Sequence, residues 1–389
     1  RAMKRPGFEA DRFGLMAKDL RSGRTREIAP SWDRSADGFK LSADGKTLYT
    51  AVQDTGEHPL FSVDIASGQV NKLVGGGTIG SFDIAGDSLA FTRNSLHSND
   101  QVFVTNTAAD APLRAITPSA GEQLKDVGFG AFEQFTFAGW NGNTVHGYVV
   151  KPWNYEEGKQ YPVAFLIHGG PQGSFGNAWS QRWNAQTYAG QGYAVVMIDF
   201  HGSTGYGQAF TDAISQHWGD RPLEDLKKGW AAAQEKYAFL DGDNACALGA
   251  SYGGYMINWI AGNWTDGFKC LVNHNGVFDT RSMGAVTEEL WFTEWEFGGP
   301  LFSHPAGYEA FNPARHIDKW QTPMLVVAGQ NDFRVPLDQS LSTFHTLQRK
   351  GIDSQLLYFP DENHWVLKPH NSILWHNTVN AWLEKHLGQ

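Results

Sequence analysis

No stretch of this sequence limits the fold more than Gly249-Ala250-Ser251-Tyr252-Gly253-Gly254-Tyr255. A short apolar segment, Ala245-Cys246-Ala247-Leu248, precedes it, and a helix-like stretch, Met256-Ile257-Asn258-Trp259-Ile260, follows it. Strand, sharp turn carrying Gly-x-Ser-x-Gly, then helix is the setting of a nucleophile elbow. So tight a turn crowds the backbone on both sides of the serine, and only residues with little or no side chain fit there. The expected result is a Ser251 hydroxyl held out at the top of a sheet, within reach of a base.

A serine alone is a weak nucleophile and needs a base and a group to orient that base. Downstream, Pro323-Met324-Leu325-Val326-Val327-Ala328-Gly329 reads as a strand and is followed by Gln330-Asn331-Asp332. Gln355-Leu356-Leu357-Tyr358-Phe359 reads as another, followed by Pro360-Asp361-Glu362-Asn363-His364. Both candidates sit just past the carboxyl end of a strand, where open α/β sheets place their sites. In the expected roles His364 takes the proton from Ser251 and Asp332 orients the imidazole. Val163-Ala164-Phe165-Leu166-Ile167 reads as a buried strand ending in His168-Gly169-Gly170-Pro171, a loop of the kind that supplies an oxyanion-hole N–H. Gly170 and Tyr252 are the expected donors. Each signal is weak by itself: Gly-x-Ser-x-Gly arises by chance, and an Asp after a strand is commonly a cap or turn residue. The argument rests on their occurring together and in order.

The first part of the chain has a different rhythm. Ser42-Ala43-Asp44-Gly45-Lys46-Thr47-Leu48-Tyr49 matches Ile84-Ala85-Gly86-Asp87-Ser88-Leu89-Ala90-Phe91, and Leu60-Phe61-Ser62-Val63-Asp64 matches Val102-Phe103-Val104-Thr105-Asn106. Short alternating strands repeating at about 40–45 residues point to β-propeller blades, with a generic β-sandwich as the competing reading. From about Phe132 strand-like and helix-like runs alternate, the pattern of a mostly parallel sheet covered by helices. Strands are expected at 132–137, 145–151, 163–167, 194–199, 244–248, 269–273, 324–328 and 355–359. Helices are expected at 222–237, 337–350 and 373–387, and the first two strands are expected to form an antiparallel hairpin across Asn141-Gly142-Asn143. The domain boundary is placed between residues 118 and 119.

At 389 residues and 41% hydrophobic content the chain has material for two sizeable cores. A formal net charge of −10 argues against nucleic-acid partners and against attraction to anionic membranes. An apolar run of about 18 residues, as a membrane-spanning helix needs, is missing from the sequence. The two cysteines, Cys246 and Cys270, both fall in strand-like segments; packed thiols and a disulfide are both open readings. No Cys/His spacing suggests zinc, and Gly75-Gly76-Gly77 lacks the Lys-Ser/Thr of a phosphate loop, so no metal and no cofactor are expected.

Over about residues 120–389 the sequence resembles the prolyl oligopeptidase family of serine peptidases. The resemblance is carried by His168-Gly169-Gly170-Pro171, by Gly202-Ser203-x-Gly205-Tyr206-Gly207, by the Ser251 elbow, by Asp332-x-Arg334-Val335-Pro336 and by Glu362-Asn363-His364. His201 stands where the family often has Arg, which touches a local contact and not the triad. The resemblance implies an α/β fold: an α/β-hydrolase catalytic domain at 119–389 preceded by a partial β-propeller at 1–118. It implies a peptidase that releases dipeptides from the amino end of short peptides through an acyl-enzyme, with acylaminoacyl-peptidase and carboxylesterase as alternatives on the same fold. A binding protein carrying a relic hydrolase domain is the reading from outside enzymology, and an intact triad speaks against it. The resemblance further implies that Arg334 binds a substrate carbonyl, a task suited to a guanidinium fork, against the plainer reading of a surface salt bridge. Tyr252 and Val335 are implied as walls of the pocket before the scissile bond; Trp291 and Phe292 admit the same role, with ordinary core or lid packing as an equal alternative. Glu288 and Glu289 admit a reading as anchors for a peptide amino group, but a solvated helix face is favoured, because related dipeptidyl peptidases draw that anchor from the propeller. A propeller closes with about 4–8 blades, so two units and part of a third lead to the expectation that this chain belongs to a longer peptidase. The implied location is periplasmic or secreted. The oligomeric state stays open, a homodimer among the states allowed.

Overall fold

The computed structural model describes residues 1–108, 111–117, 124 and 126–388. The chain divides into two compact units, one formed by Arg1–Gly128, Ser174–Asn184 and Ser203–Thr211, the other by Phe129–Gly173, Ala185–Gly202 and Asp212–Gln389. The boundary expected between 118 and 119 lies outside the described residues.

The first unit is built from antiparallel sheets whose strands follow one another in space as they do in sequence. Met16–Lys18 (β1) pairs with Thr25–Glu27 (β2). Phe39–Leu41 (β3), Thr47–Ala51 (β4), Leu60–Asp64 (β5) and Val70–Val74 (β6) form one four-stranded meander. Thr78–Ala85 (β7), Ser88–Ser95 (β8), Ser98–Asn106 (β9) and Arg114–Ala115 (β10) form a second. Two four-stranded meanders in succession are propeller blades and not the two packed sheets of a sandwich. The sequence repeat superposes β4 on β8 and β5 on β9, the two inner strands of each blade. Buried side chains hold each one: Leu48, Val52, Phe61 and Val63 with Leu15 and Ile28, then Leu60, Val74, Ile79, Leu89 and Phe91 with Ala51.

The second unit carries an eight-stranded sheet. Its strands are Phe132–Ala138 (β11), Thr144–Val150 (β12), Tyr161–Ile167 (β13), Ala194–Asp199 (β14), Leu240–Ala250 (β15), Cys270–His274 (β16), Met324–Gly329 (β17) and Ser354–Phe359 (β18). Their order is β11-β12-β14-β13-β15-β16-β17-β18. β11, β12 and β14 are joined antiparallel, and every pair from β14 to β18 is parallel. The expected hairpin is present, turning through Trp140–Gly142 with Asn141 at φ 54°, a left-handed value that asparagine tolerates. Val163–Ile167 and Met324–Ala328 have no solvent exposure, as strands covered on both faces require.

Helices cover both faces. Arg221–Lys236 starts at Asp220, whose carboxylate accepts the Arg221 N–H, and has Pro222 in its first turn. Its residues Leu223, Leu226, Trp230 and Ala233 recur at helical spacing and are buried. Tyr252–Asn263 is buried along almost its whole length, the central helix behind the elbow. Leu337–Arg349 and Pro369–Leu387 complete the set near the expected positions. Cys246 and Cys270 lie opposite each other on β15 and β16, Cα atoms 4.7 Å apart, and are joined as a disulfide; the packed-thiol reading is thereby set aside.

Candidate active site

Ser251 follows β15 and caps the helix Tyr252–Asn263 at φ 60° and ψ −120°, a backbone conformation strained for a residue with a side chain. The flanking glycines explain how the turn survives. A Cβ on Gly249 would lie 2.5 Å from the Gly253 carbonyl carbon, and one on Gly253 would lie 2.3 Å from Ile167 O. The turn is pinned from the far side by the Ser251 N–H, which donates to His274 O at 3.0 Å.

Asp332 and His364 meet as expected. The His364 Nδ1–H donates to Asp332 Oδ2 at 2.6 Å, and both residues are buried. Asp332 Oδ1 accepts the backbone N–H groups of Arg334 and Val335, each at 2.9 Å. With Nδ1 carrying the proton toward Asp332, Nε2 is left as the basic position of the ring, which is what a general base for serine requires. Among the described residues no hydrogen bond joins the Ser251 hydroxyl to His364. Catalytic contacts in free enzymes commonly tighten only around substrate.

The loop after β13 packs against Ser251. A Cβ on Gly169 would stand 2.9 Å from Ala250 O and 3.2 Å from the Ser251 Cβ, so only glycine allows this approach. His168 is buried and stacked on Phe200 at 4.2 Å, and its Nδ1–H donates to Gly169 O at 2.8 Å. Burial pushes the His168 imidazole toward its neutral form. Gly170 has φ +124°. Tyr252 is the first residue of its helix, where backbone N–H groups lack an intrahelical acceptor and the helix dipole favours negative charge.

The remaining expected residues fall around this centre. The Tyr252 ring is buried beside Phe200 and Trp218, and its hydroxyl donates to Trp218 O at 2.6 Å. Val335 is buried with its N–H on Asp332. Trp291 is half exposed, and the Phe292 ring lies 5.9 Å from Trp218. Arg334 makes an ion pair with Glu289 at 2.8 Å, with Glu288 farther out at 3.6 Å, and its guanidinium lies 5.2 Å from the centre of the Trp365 ring. Arg334 is thus ion-paired here, and both glutamates turn toward it. At the departure from the family pattern, His201 donates its N–H and its Nδ1–H to the buried Asp225 carboxylate, and Asn143 Nδ2 donates to its Nε2.

Sequence reasoning missed two buried residues. Glu296 is fully buried. Its Oε1 accepts from Gln172 Nε2 at 2.9 Å and from Ser215 Oγ at 3.1 Å, and its Oε2 from Trp218 Nε1 at 2.8 Å. Burial pushes this carboxyl up to about 7, against the lowering effect of its three donors. A lone acid inside Trp295-Glu296-Phe297 was the available signal. The second is Asn275, after β16, whose side chain reaches the loops of both Asp332 and His364. Its signal was the Asn-Gly pair closing a strand.

Comparison with known proteins follows the same lines. The profile described as "Prolyl oligopeptidase family" matches residues 179–389. The chain is 40% identical over 397 residues to the probable dipeptidyl-peptidase 5 of Aspergillus clavatus, covering 99% of this chain and 54% of the relative. It is likewise 40% identical over 397 residues to the dipeptidyl-peptidase 5 of Aspergillus fumigatus, again with 99% and 54% covered. The chain thus spans about half the length of the curated relatives it matches. Among solved structures, Pyrococcus horikoshii acylaminoacyl peptidase superposes with a TM-score of 0.84 at 24% identity, covering 94% of this chain and 58% of that one, a likeness of fold.

Proposed function

We propose a function from one premise: this chain belongs to the prolyl oligopeptidase family. It carries the catalytic unit of a serine peptidase that removes dipeptides from the amino end of short peptides. The observation that carries this reading is the Asp332–His364 hydrogen bond together with the strained backbone at Ser251, in a sequence whose curated relatives are named dipeptidyl-peptidase 5. Ser251 Oγ attacks the scissile carbonyl as His364 Nε2 takes its proton, and Asp332 stabilises the imidazolium. The oxyanion accepts from the N–H groups of Tyr252 and Gly170, each such donor contributing about 3 kcal/mol to the transition state. Collapse expels the amine, which receives the proton from His364. Water, activated by the same imidazole, then frees the acid product and restores Ser251. Arg334 binds a substrate carbonyl, and Glu289 holds its guanidinium in place.

Replacing Ser251 by Ala is expected to abolish turnover of a dipeptidyl-anilide with no change in melting temperature. Turnover that survives the substitution refutes the assignment. Product analysis on free-amine and N-acetylated peptides separates dipeptide release from acyl-amino-acid release. We place the protein in the periplasm or outside the cell; the Cys246–Cys270 disulfide supports this, because such bonds persist in oxidising compartments. Recovery of the protein in the cytoplasmic fraction of its source cells overturns the location.

A further inference from the structure

We infer that Asn275 is a positioning residue that sets the distance between the nucleophile and its base, an inference that rests on the serine-peptidase reading. The argument starts from strand order. Ser251, Asn275, Asp332 and His364 follow β15, β16, β17 and β18, four neighbouring parallel strands with their carboxyl ends on one edge. Adjacent strands are about 4.8 Å apart, so the strand of Ser251 stands about 10 Å from that of Asp332, with β16 between them.

The Asp332 and His364 loops are already fastened to each other. The Asn331 N–H donates to Glu362 O at 3.0 Å, and the His364 ring donates to Asp332. This pair needs a tie to the strand of the serine, and His274 at the end of β16 with Asn275 just after it provides one. His274 O accepts the Ser251 N–H at 3.0 Å. On the next residue, the Asn275 N–H donates to Val327 O of β17 at 2.9 Å. The Asn275 side chain then uses both ends of its amide: Oδ1 accepts the Gly329 N–H at 3.2 Å, at the start of the Asp332 loop, and Nδ2 donates to His364 O at 3.2 Å. Asn275 is 1% exposed, so water does not compete for these bonds. It sits at φ 47°, a conformation in which asparagine is among the few tolerated side chains. Two consecutive residues thus bond to all three arms of the triad.

The test separates positioning from packing. Asn275→Gly keeps the left-handed backbone and removes both side-chain bonds. Rates are normalised to active sites titrated with a fluorophosphonate and measured well below the melting temperature, so a loss of folded protein does not register. The expected result is a kcat per titrated site lower by about 30- to 100-fold with KM changed by less than about threefold, as a misplaced base predicts. Asn275→Asp preserves shape and the acceptor for Gly329 but presents an oxygen where the donor to His364 stood. It is expected to lose at least about tenfold in kcat and serves if the glycine variant does not fold. A kcat per titrated site within about twofold of the parent in either folded variant overturns the inference, whatever the melting temperature does. A parent protein that neither labels nor turns over a peptide anilide fails earlier, at the peptidase reading itself.

Discussion

Asp332 divides its two oxygens between different tasks, and the division decides what a substitution does. Oδ1 is held by the Arg334 and Val335 N–H groups, which accept nothing, while Oδ2 faces the His364 Nδ1–H. In Asp332→Asn the amide oxygen stays with the two backbone donors, which puts the new NH₂ against Nδ1. The histidine proton then moves to Nε2, the atom that must accept from serine. We expect kcat to fall by about 10³- to 10⁴-fold with the fold intact, measured as steady-state hydrolysis of a dipeptidyl-anilide. A drop of less than about tenfold contradicts the assigned tautomer. At this scale the Asp332–His364 pair and the strain at Ser251 were legible in the sequence, because glycines at 249 and 253 and strand ends before 332 and 364 are local signals. The partners of Asp332 Oδ1 were legible only in outline, since Arg334 was singled out for its side chain and contributes its backbone N–H as well.

Glu296 acts between elements. It fastens Gln172, just past the His168-Gly169-Gly170-Pro171 loop, to Ser215 and to Trp218, the residue that packs on Tyr252. Its carboxyl titrates at about 7 in the folded protein against 4.5 for an ordinary glutamate. The folded state therefore holds a proton that the unfolded state has released between those two values. The resulting stability is fully present below pH 4.5, is lost as pH rises toward 7 and then stays level, a change on the order of 3 kcal/mol. Glu296→Gln, which cannot titrate, is expected to flatten this part of the profile. Urea unfolding of both proteins at pH 5 and pH 7.5 checks it, and identical pH differences for the two contradict the account. The flanking aromatics hinted at such a residue without deciding it, because a buried acid differs from a surface acid only in what folds around it.

For the whole molecule, local pattern was enough for most of the architecture. Apolar runs of strand length alternating with helical stretches specified the catalytic unit, and a repeat of about 40 residues specified the blades, because backbone geometry fixes both periods within a few residues of chain. Residues Ser174–Asn184 and Ser203–Thr211, which lie within the hydrolase part of the sequence, group with the first unit, something no local pattern announces. The same holds for the Cys246–Cys270 bond, which became decidable once β15 and β16 were neighbours in register. By itself the amino-acid sequence determined the three residues proposed as nucleophile, base and carboxylate and the kind of layers that carry them, since each is written in a short segment. The tertiary structure alone decided that β16 lies between the strand of the serine and that of the aspartate, and so gave Asn275 its place. Strand order is set by how distant segments pack, and spacing along the chain holds no record of it.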